Sequence, residues 1–370
     1  MSIKHFKVNI PQTVLDDLYY RLEHTRWPDE APNAGWAYGT SLSYMRDLTI
    51  YWFKQYDWRK HEKEINQLPQ FTSDVNNVNI HFVHQPSKNP NAIPVLLVHG
   101  WPDSFYRFHK VLPLLTDKFH VVIPSMPGTG FSERISLSID KIADLFAHLM
   151  IDQLGYKKFI SAGGDGGSLV SLSLARRRPE ILLGMHLTDV GYPDYTTDFA
   201  SLTPPEQEFA GFIQRWWMTE GAFSMVNATK PQSAAYAFND SPVGLAAWIM
   251  SMMSMLSTGE EIDRRFGRDE LLTNIMIYWV TQTIGSSMRI AYETRVASMS
   301  NPVTSGKSPV PAGVAHCPGD APLPREWAER QTNLIHYSNL ERGAHFVAWE
   351  APEIWTKDFI EFTEVLSTYK

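Results

Sequence analysis

Apolar positions recur along the chain at two different spacings, and the places where the spacing changes divide it into parts. From Pro11 to Arg26, Val14, Leu15, Leu18 and Leu22 lie on one face of a helical pattern, with Pro11 suited to its first turn and Pro28 as its stop. Ser43–Tyr56 repeats the pattern through Leu48, Tyr51, Trp52 and Tyr56. Val78–Val83 alternates as a half-buried strand does. Four short, almost wholly apolar runs follow: Pro94–Val98, Phe119–Ile123, Lys158–Ala162 and Met185–Leu187. Helical patterns such as Ile139–Leu154 and Ser168–Arg178 separate them. Strands without a polar face, alternating with helices, predict a mostly parallel sheet covered on both sides, an α/β fold. In such sheets the site lies at the carboxyl ends of the strands. Three Gly/Pro-rich turns stand there: His99–Pro102, Pro124–Gly128 and Gly163–Gly167.

Beyond residue 195 the rhythm breaks. Glu206–Thr219, Pro231–Phe238, Val243–Ser257, Asp269–Ile284 and Ser286–Val296 all read as helices, with no strand between them. A helical insertion there predicts a lid. Strand patterns return at Gly313–His316 and Leu334–Tyr337, and a helix over Pro352–Leu366 closes the chain. The expected division is 1–90 as an N-terminal meander, 91–195 as the first part of the core, 196–300 as the lid and 301–370 as the rest of the core.

Composition narrows the class. A formal charge of −7 with no cluster of Lys and Arg argues against a nucleic-acid partner. The single cysteine, Cys317, cannot form an internal disulfide. The opening residues lack the apolar core of a signal peptide, and no run is long enough to span a bilayer. A soluble cytoplasmic enzyme is expected. Oligomeric state is not written in the pattern, and a homodimer is open to it.

The segment Gly163-Gly164-Asp165-Gly166-Gly167 follows an apolar strand and precedes a helix, the context of a nucleophile elbow. The usual elbow carries serine; here the nucleophile is Asp165. A carboxylate needs no base to attack and suits a saturated carbon that bears a leaving group. The product is an ester of the enzyme's own side chain, which water must then hydrolyse. That second step needs a base, and His345 in Gly343-Ala344-His345-Phe346 stands after the last strand, where the fold places one. Asp320, after the preceding strand, is the expected acid partner; Asp189, after Met185–Leu187, is the competitor. The backbone N–H groups of Trp101 and Gly166 are the expected oxyanion hole. The bland alternative for Asp165 is a helix cap in a glycine-rich turn.

These motifs resemble the α/β-hydrolase-fold epoxide hydrolases that carry an epoxide-hydrolase N-terminal domain, the microsomal and juvenile-hormone group. Phe6–Pro11 and Leu22–Pro28 look like that domain's meander, Asn239–Trp248 and Leu271–Asn274 like its lid, and Asp320 falls where the group keeps its acid. The resemblance implies opening of an epoxide to a diol with no metal or organic cofactor. It also exposes two departures. Group members carry a bulky residue after the nucleophile, where this chain has Gly166. They use two lid tyrosines to support the leaving oxygen, where this chain has Phe223 and Ala291. Tyr292, adjacent to the second position, is the expected substitute; Tyr278 and Tyr236 are weaker candidates. Phe223, Trp216 and Trp248 are expected to bind substrate, and together with Trp217 these aromatic residues suggest a small apolar epoxide. A dehalogenase-like enzyme, an enzyme for a substrate with its own activated leaving group, and a lapsed non-enzymatic homologue are the alternatives.

Overall fold

The computed structural model describes residues 3–194, 196–255, 262–300 and 306–369. Its centre is a nine-stranded sheet in the order β1-β2-β3-β5-β4-β6-β7-β8-β9. The strands are β1 (Lys4–His5), β2 (Gln70–Val75), β3 (Val78–Gln85), β4 (Ile93–Val98), β5 (Phe119–Pro124), β6 (Phe159–Gly163), β7 (Leu182–Leu187), β8 (Pro311–His316) and β9 (Asn333–Asn339). β1 to β3 and the β3–β5 pair run antiparallel; every other pairing is parallel. Successive side chains of a strand point to opposite faces, and β4 shows the consequence. Val95 and Leu97 join the core on one face, Leu96 and Val98 the core on the other, and all four are fully buried.

The pattern missed β2, which pairs with β3 residue for residue from Gln70 opposite Val83 to Val75 opposite Val78. Its burial alternates only in part, so no clean period of two showed. The helix expected over Ile139–Leu154 is α-helical through His148 and closes in a π-turn over Leu149–Gln153. The helices of the segment expected to form a lid are Pro204–Thr219, Ala222–Thr229, Pro231–Asp240, Pro242–Met255, Ile262–Phe266, Arg268–Thr281 and Ile284–Ser300. The end expected at Ser257 for the fourth of these lies outside the described residues.

The N-terminal segment is bonded to these helices. Arg21 Nη1 donates to the Asp240 carbonyl and carboxylate at 2.6 and 2.8 Å. Thr40 Oγ1 donates to the Ala247 carbonyl at 2.7 Å. The Tyr44 and Tyr51 hydroxyls donate to Asp263 and Asp269 at 2.6 and 2.8 Å. Among the described residues no helix is long and apolar enough to cross a membrane.

Candidate active site

The elbow is built by close approach. Asp165 has φ 55° and ψ −129°, a left-handed conformation that costs a non-glycine residue of order 1–3 kcal/mol. Its neighbours must be small. A Cβ on Gly163 would stand 2.7 Å from the Val98 carbonyl oxygen, and one on Gly167 2.0 Å from the same atom. Gly100 faces Asp165 directly: a Cβ there would meet Asp165 Cβ and Oδ1 at 2.5 Å.

This geometry divides the two carboxylate oxygens of Asp165. Oδ1 accepts from the backbone N–H of Trp101 at 2.9 Å and of Gly166 at 2.5 Å. Oδ2 lies 3.3 Å from His345 Nε2. His345 Nδ1 in turn stands 2.9 Å from Asp320 Oδ2. The structure thus brings Asp165, His345, Asp320, Trp101 and Gly166 into one constellation, although 180 residues separate Asp165 from His345. The Asp165 side chain remains 31% exposed, while that of His345 is 4% exposed. Asp165 also does what a cap does, since Oδ1 accepts from the first N–H of the helix Gly166–Arg177. The two readings of the motif are compatible.

Burial pulls the His345 imidazole toward neutrality, but the Asp320 carboxylate and the bond to Asp165 outweigh it and hold the ring well above its ordinary range. Asp320 is deeply buried, which opposes its charge, yet His345 holds its carboxyl below the usual range. Asp189, the competing acid, partners neither. Its Oδ2 accepts the Asp165 backbone N–H at 2.7 Å and so clamps the turn. Burial raises this third carboxyl to about 6.

Sequence reasoning passed over several groups that hold the site. Asp103 Oδ1 accepts from Gly100 N–H at 2.8 Å, and its Oδ2 accepts from Arg107 Nη1 at 2.6 Å. Arg107 Nη2 donates to the His345 carbonyl at 2.6 Å. One buried ion pair therefore joins the oxyanion turn to the histidine turn. Two helices beyond residue 195 fix the turn at Trp101: Trp101 Nε1 donates to Ser287 Oγ at 3.0 Å, and Asn274 Nδ2 to the Pro102 carbonyl at 2.9 Å. Asp103 was legible as an aspartate three residues after a turn glycine; Arg107 carried no signal.

Tyr192 was also missed. It follows β7, held there by the bond from Trp327 Nε1 to the Gly191 carbonyl at 2.9 Å, with its ring 6.3 Å from that of Phe209. Burial and the charges of Asp320, Asp189 and Asp165 keep its phenol protonated well above the ordinary range. It has no hydrogen bond within the protein among the described residues.

The expected lid residues separate into two groups. Phe223 stacks on Trp101 with centroids 6.1 Å apart and planes at 12°, and Trp216 meets Phe223 edge-on at 6.2 Å. These two stand over the oxyanion turn. Trp248 instead stacks on Phe238 of the neighbouring helix at 4.9 Å, and Trp217, 37% exposed, meets Trp216 edge-on. Tyr292, the expected oxygen donor, is 37% exposed with the Arg295 guanidinium 5.5 Å over its ring, and no described contact joins it to Asp165. Tyr278 is fully buried and donates to the Asp103 carbonyl at 2.6 Å, while Tyr236 is 73% exposed. The helical register that put Tyr292 beside Ala291 turns its side chain outward.

Comparison with known proteins gives the family. Residues 3–108 match the epoxide hydrolase N-terminus family, and residues 93–235 the α/β-hydrolase fold. A protein of Stigmatella aurantiaca is 36% identical over 379 residues, covering 97% of this chain and 84% of its own length. Epoxide hydrolase 1 of Sus scrofa is 34% identical, covering 99% of this chain and 89% of its own. The chain belongs to the epoxide hydrolase family. Its fold is that of the family as well: the crystal structure of juvenile hormone epoxide hydrolase from the silkworm Bombyx mori superposes with a TM-score of 0.86 at 28% identity, over 99% of this chain and 94% of the other. Within this epoxide hydrolase family member, the elbow, the histidine turn and the turn at Trp101 bring a carboxylate, an imidazole and two backbone N–H donors together.

Proposed function

We propose that this enzyme opens an apolar oxirane to a vicinal diol through a covalent ester on Asp165. One observation carries the reading. The nucleophile's oxygens are differentiated, with Oδ1 held by two N–H donors and Oδ2 held by neither and 3.3 Å from His345 Nε2, on a side chain that stays 31% exposed. Oδ2 attacks an oxirane carbon, the C–O bond breaks and its electron pair goes to the oxygen. The proton this oxygen needs is carried by His345, which two carboxylates keep charged in the free enzyme. The Tyr192 phenol supports the oxygen by a hydrogen bond.

Esterification removes one of the two charges that held the proton on His345. The ring, now neutral, takes a proton from water. The hydroxide adds to the ester carbonyl, whose oxygen already sits between the Trp101 and Gly166 N–H groups. Collapse releases the diol and restores the Asp165 carboxylate beside a protonated His345, so every proton is accounted for.

The dehalogenase-like reading is weaker. A departing halide needs free N–H donors, and the Trp101 indole N–H is already committed to Ser287. The test is one turnover of excess enzyme on a panel of oxiranes in heavy-oxygen water, with mass analysis of the peptide containing Asp165. The ester route puts the label into that side chain. Diol formed with no label in Asp165 overturns it, and halide release from haloalkanes with no action on oxiranes favours the alternative.

A further inference from the structure

Five glycines surround the nucleophile, and four of them have a steric reason. A Cβ would stand 2.5 Å from Asp165 Cβ at Gly100, 2.7 Å from the Val98 oxygen at Gly163, 2.4 Å from Thr188 Oγ1 at Gly164 and 2.0 Å from the Val98 oxygen at Gly167. Gly166 has none. The nearest atoms to a Cβ there are Met126 Cε at 3.6 Å and Gly100 Cα at 3.7 Å, both ordinary contacts. Nor does its backbone ask for glycine, since it is not among the residues with positive φ and it opens the 12-residue helix Gly166–Arg177. Inside a helix glycine is a poorer choice than alanine.

The space is also reachable. Gly164 and Gly167 are buried, whereas Asp165 and Gly166 are both partly open. The missing side chain therefore leaves a notch that begins at the nucleophile itself. Its walls are the Met126 methyl and the Gly100 backbone, and the Gly166 N–H is already spent on Asp165 Oδ1. Nothing polar in these walls is left to bind a polar group. A hydrocarbon fits.

We infer that Gly166 is a specificity-determining residue: the notch above it receives an apolar substituent on the oxirane carbon that Asp165 attacks, so the enzyme favours internal, disubstituted oxiranes over terminal ones. This rests on the Asp165 ester reading and names its substrate class. A carbon with two hydrogens leaves the notch empty; a carbon bearing an alkyl group fills it. One methylene in an apolar pocket changes discrimination by roughly 10-fold to 200-fold.

The experiment compares wild type, Gly166→Ala and Gly166→Val on a terminal alkyl oxirane and an internal cis-dialkyl oxirane of equal carbon count. kcat/KM, melting temperature and oxygen-18 labelling of Asp165 are read for each. Expected is a wild-type preference for the internal oxirane. Gly166→Ala should melt no lower than wild type and lower the internal-to-terminal ratio of kcat/KM by about 10-fold, whatever its effect on the absolute rates, and Gly166→Val should lower that ratio further. If both oxiranes fall equally or neither changes while Asp165 still takes label, the notch inference is wrong and the ester reading stands. A clear fall in the melting temperature of Gly166→Ala refutes the free space. Wild type that turns over both oxiranes without labelling Asp165 sinks the ester reading and this inference together.

Discussion

Replacing Asp189 by asparagine separates the two things this carboxyl does. Its Oδ2 accepts the Asp165 N–H at 2.7 Å, and an amide oxygen can make the same bond. What asparagine removes is a buried charge. Burial, with the Asp165 and Asp320 charges adding and His345 opposing, raises Asp189 from 3.8 to about 6. That difference of about 2 units corresponds to about 3 kcal/mol at 1.36 kcal/mol per unit. The sign follows from proton linkage. Below pH 4 the carboxyl is protonated in both folded and unfolded chains and makes no difference. Between pH 4 and 6 the unfolded chain ionises first, so wild-type stability falls as pH rises, and above 6 the whole loss is in place. Asparagine does not ionise, and the end of its amide nearer Gly191 faces only a long 3.5 Å contact. Asp189→Asn should therefore match wild type near pH 4 and exceed it by up to about 3 kcal/mol at pH 8. With roughly 2.1 cal/mol/K of unfolding entropy per residue, a chain of 370 residues would melt about 4 °C higher. Urea or thermal unfolding of both proteins at pH 4, 5, 6, 7 and 8 measures it. Parallel curves across that range, or a less stable variant at pH 8, would refute the reasoning.

Three other variants probe the rest of the site. His345→Gln should still form the ester and fail to hydrolyse it, so that mass analysis finds alkylated Asp165 accumulating; diol release at the wild-type rate would exclude His345 as the base. Tyr192→Phe should slow alkylation by about 100-fold in single turnovers and leave ester hydrolysis unchanged, while Tyr292→Phe should change neither. Equal alkylation rates for wild type and Tyr192→Phe would remove Tyr192 from the mechanism. Asp103→Ala leaves the Arg107 guanidinium buried without its carboxylate and frees the Gly100 N–H, a loss of about 3–5 kcal/mol by denaturant titration; a loss below about 1 kcal/mol would mean that the pair does not hold the two turns together.

The sequence by itself determined what local sterics and periodicity dictate. A carboxylate between glycines, after a strand with no polar face and before a helix, has one tight turn open to it, and β4, β5, β6 and β7 lie where the apolar runs stand. His345 and Asp320 were legible because each follows a strand in the chain order this sheet imposes. What the sequence left open was every choice between neighbours on the same turn or helix. Asp189 and Asp320 both follow strands, and only the packing of β7 against β6 turns Asp189 to the Asp165 backbone and leaves His345 to Asp320. One residue of helical rotation, about 100°, decides that Tyr292 faces Arg295 and solvent. Tyr192 acquires its surroundings from three carboxylates on three separate loops. Arg107 finds its role in a carbonyl 238 residues away. Such contacts depend on how layers dock and on which side chain then fits the remaining space, and no window of sequence contains that information.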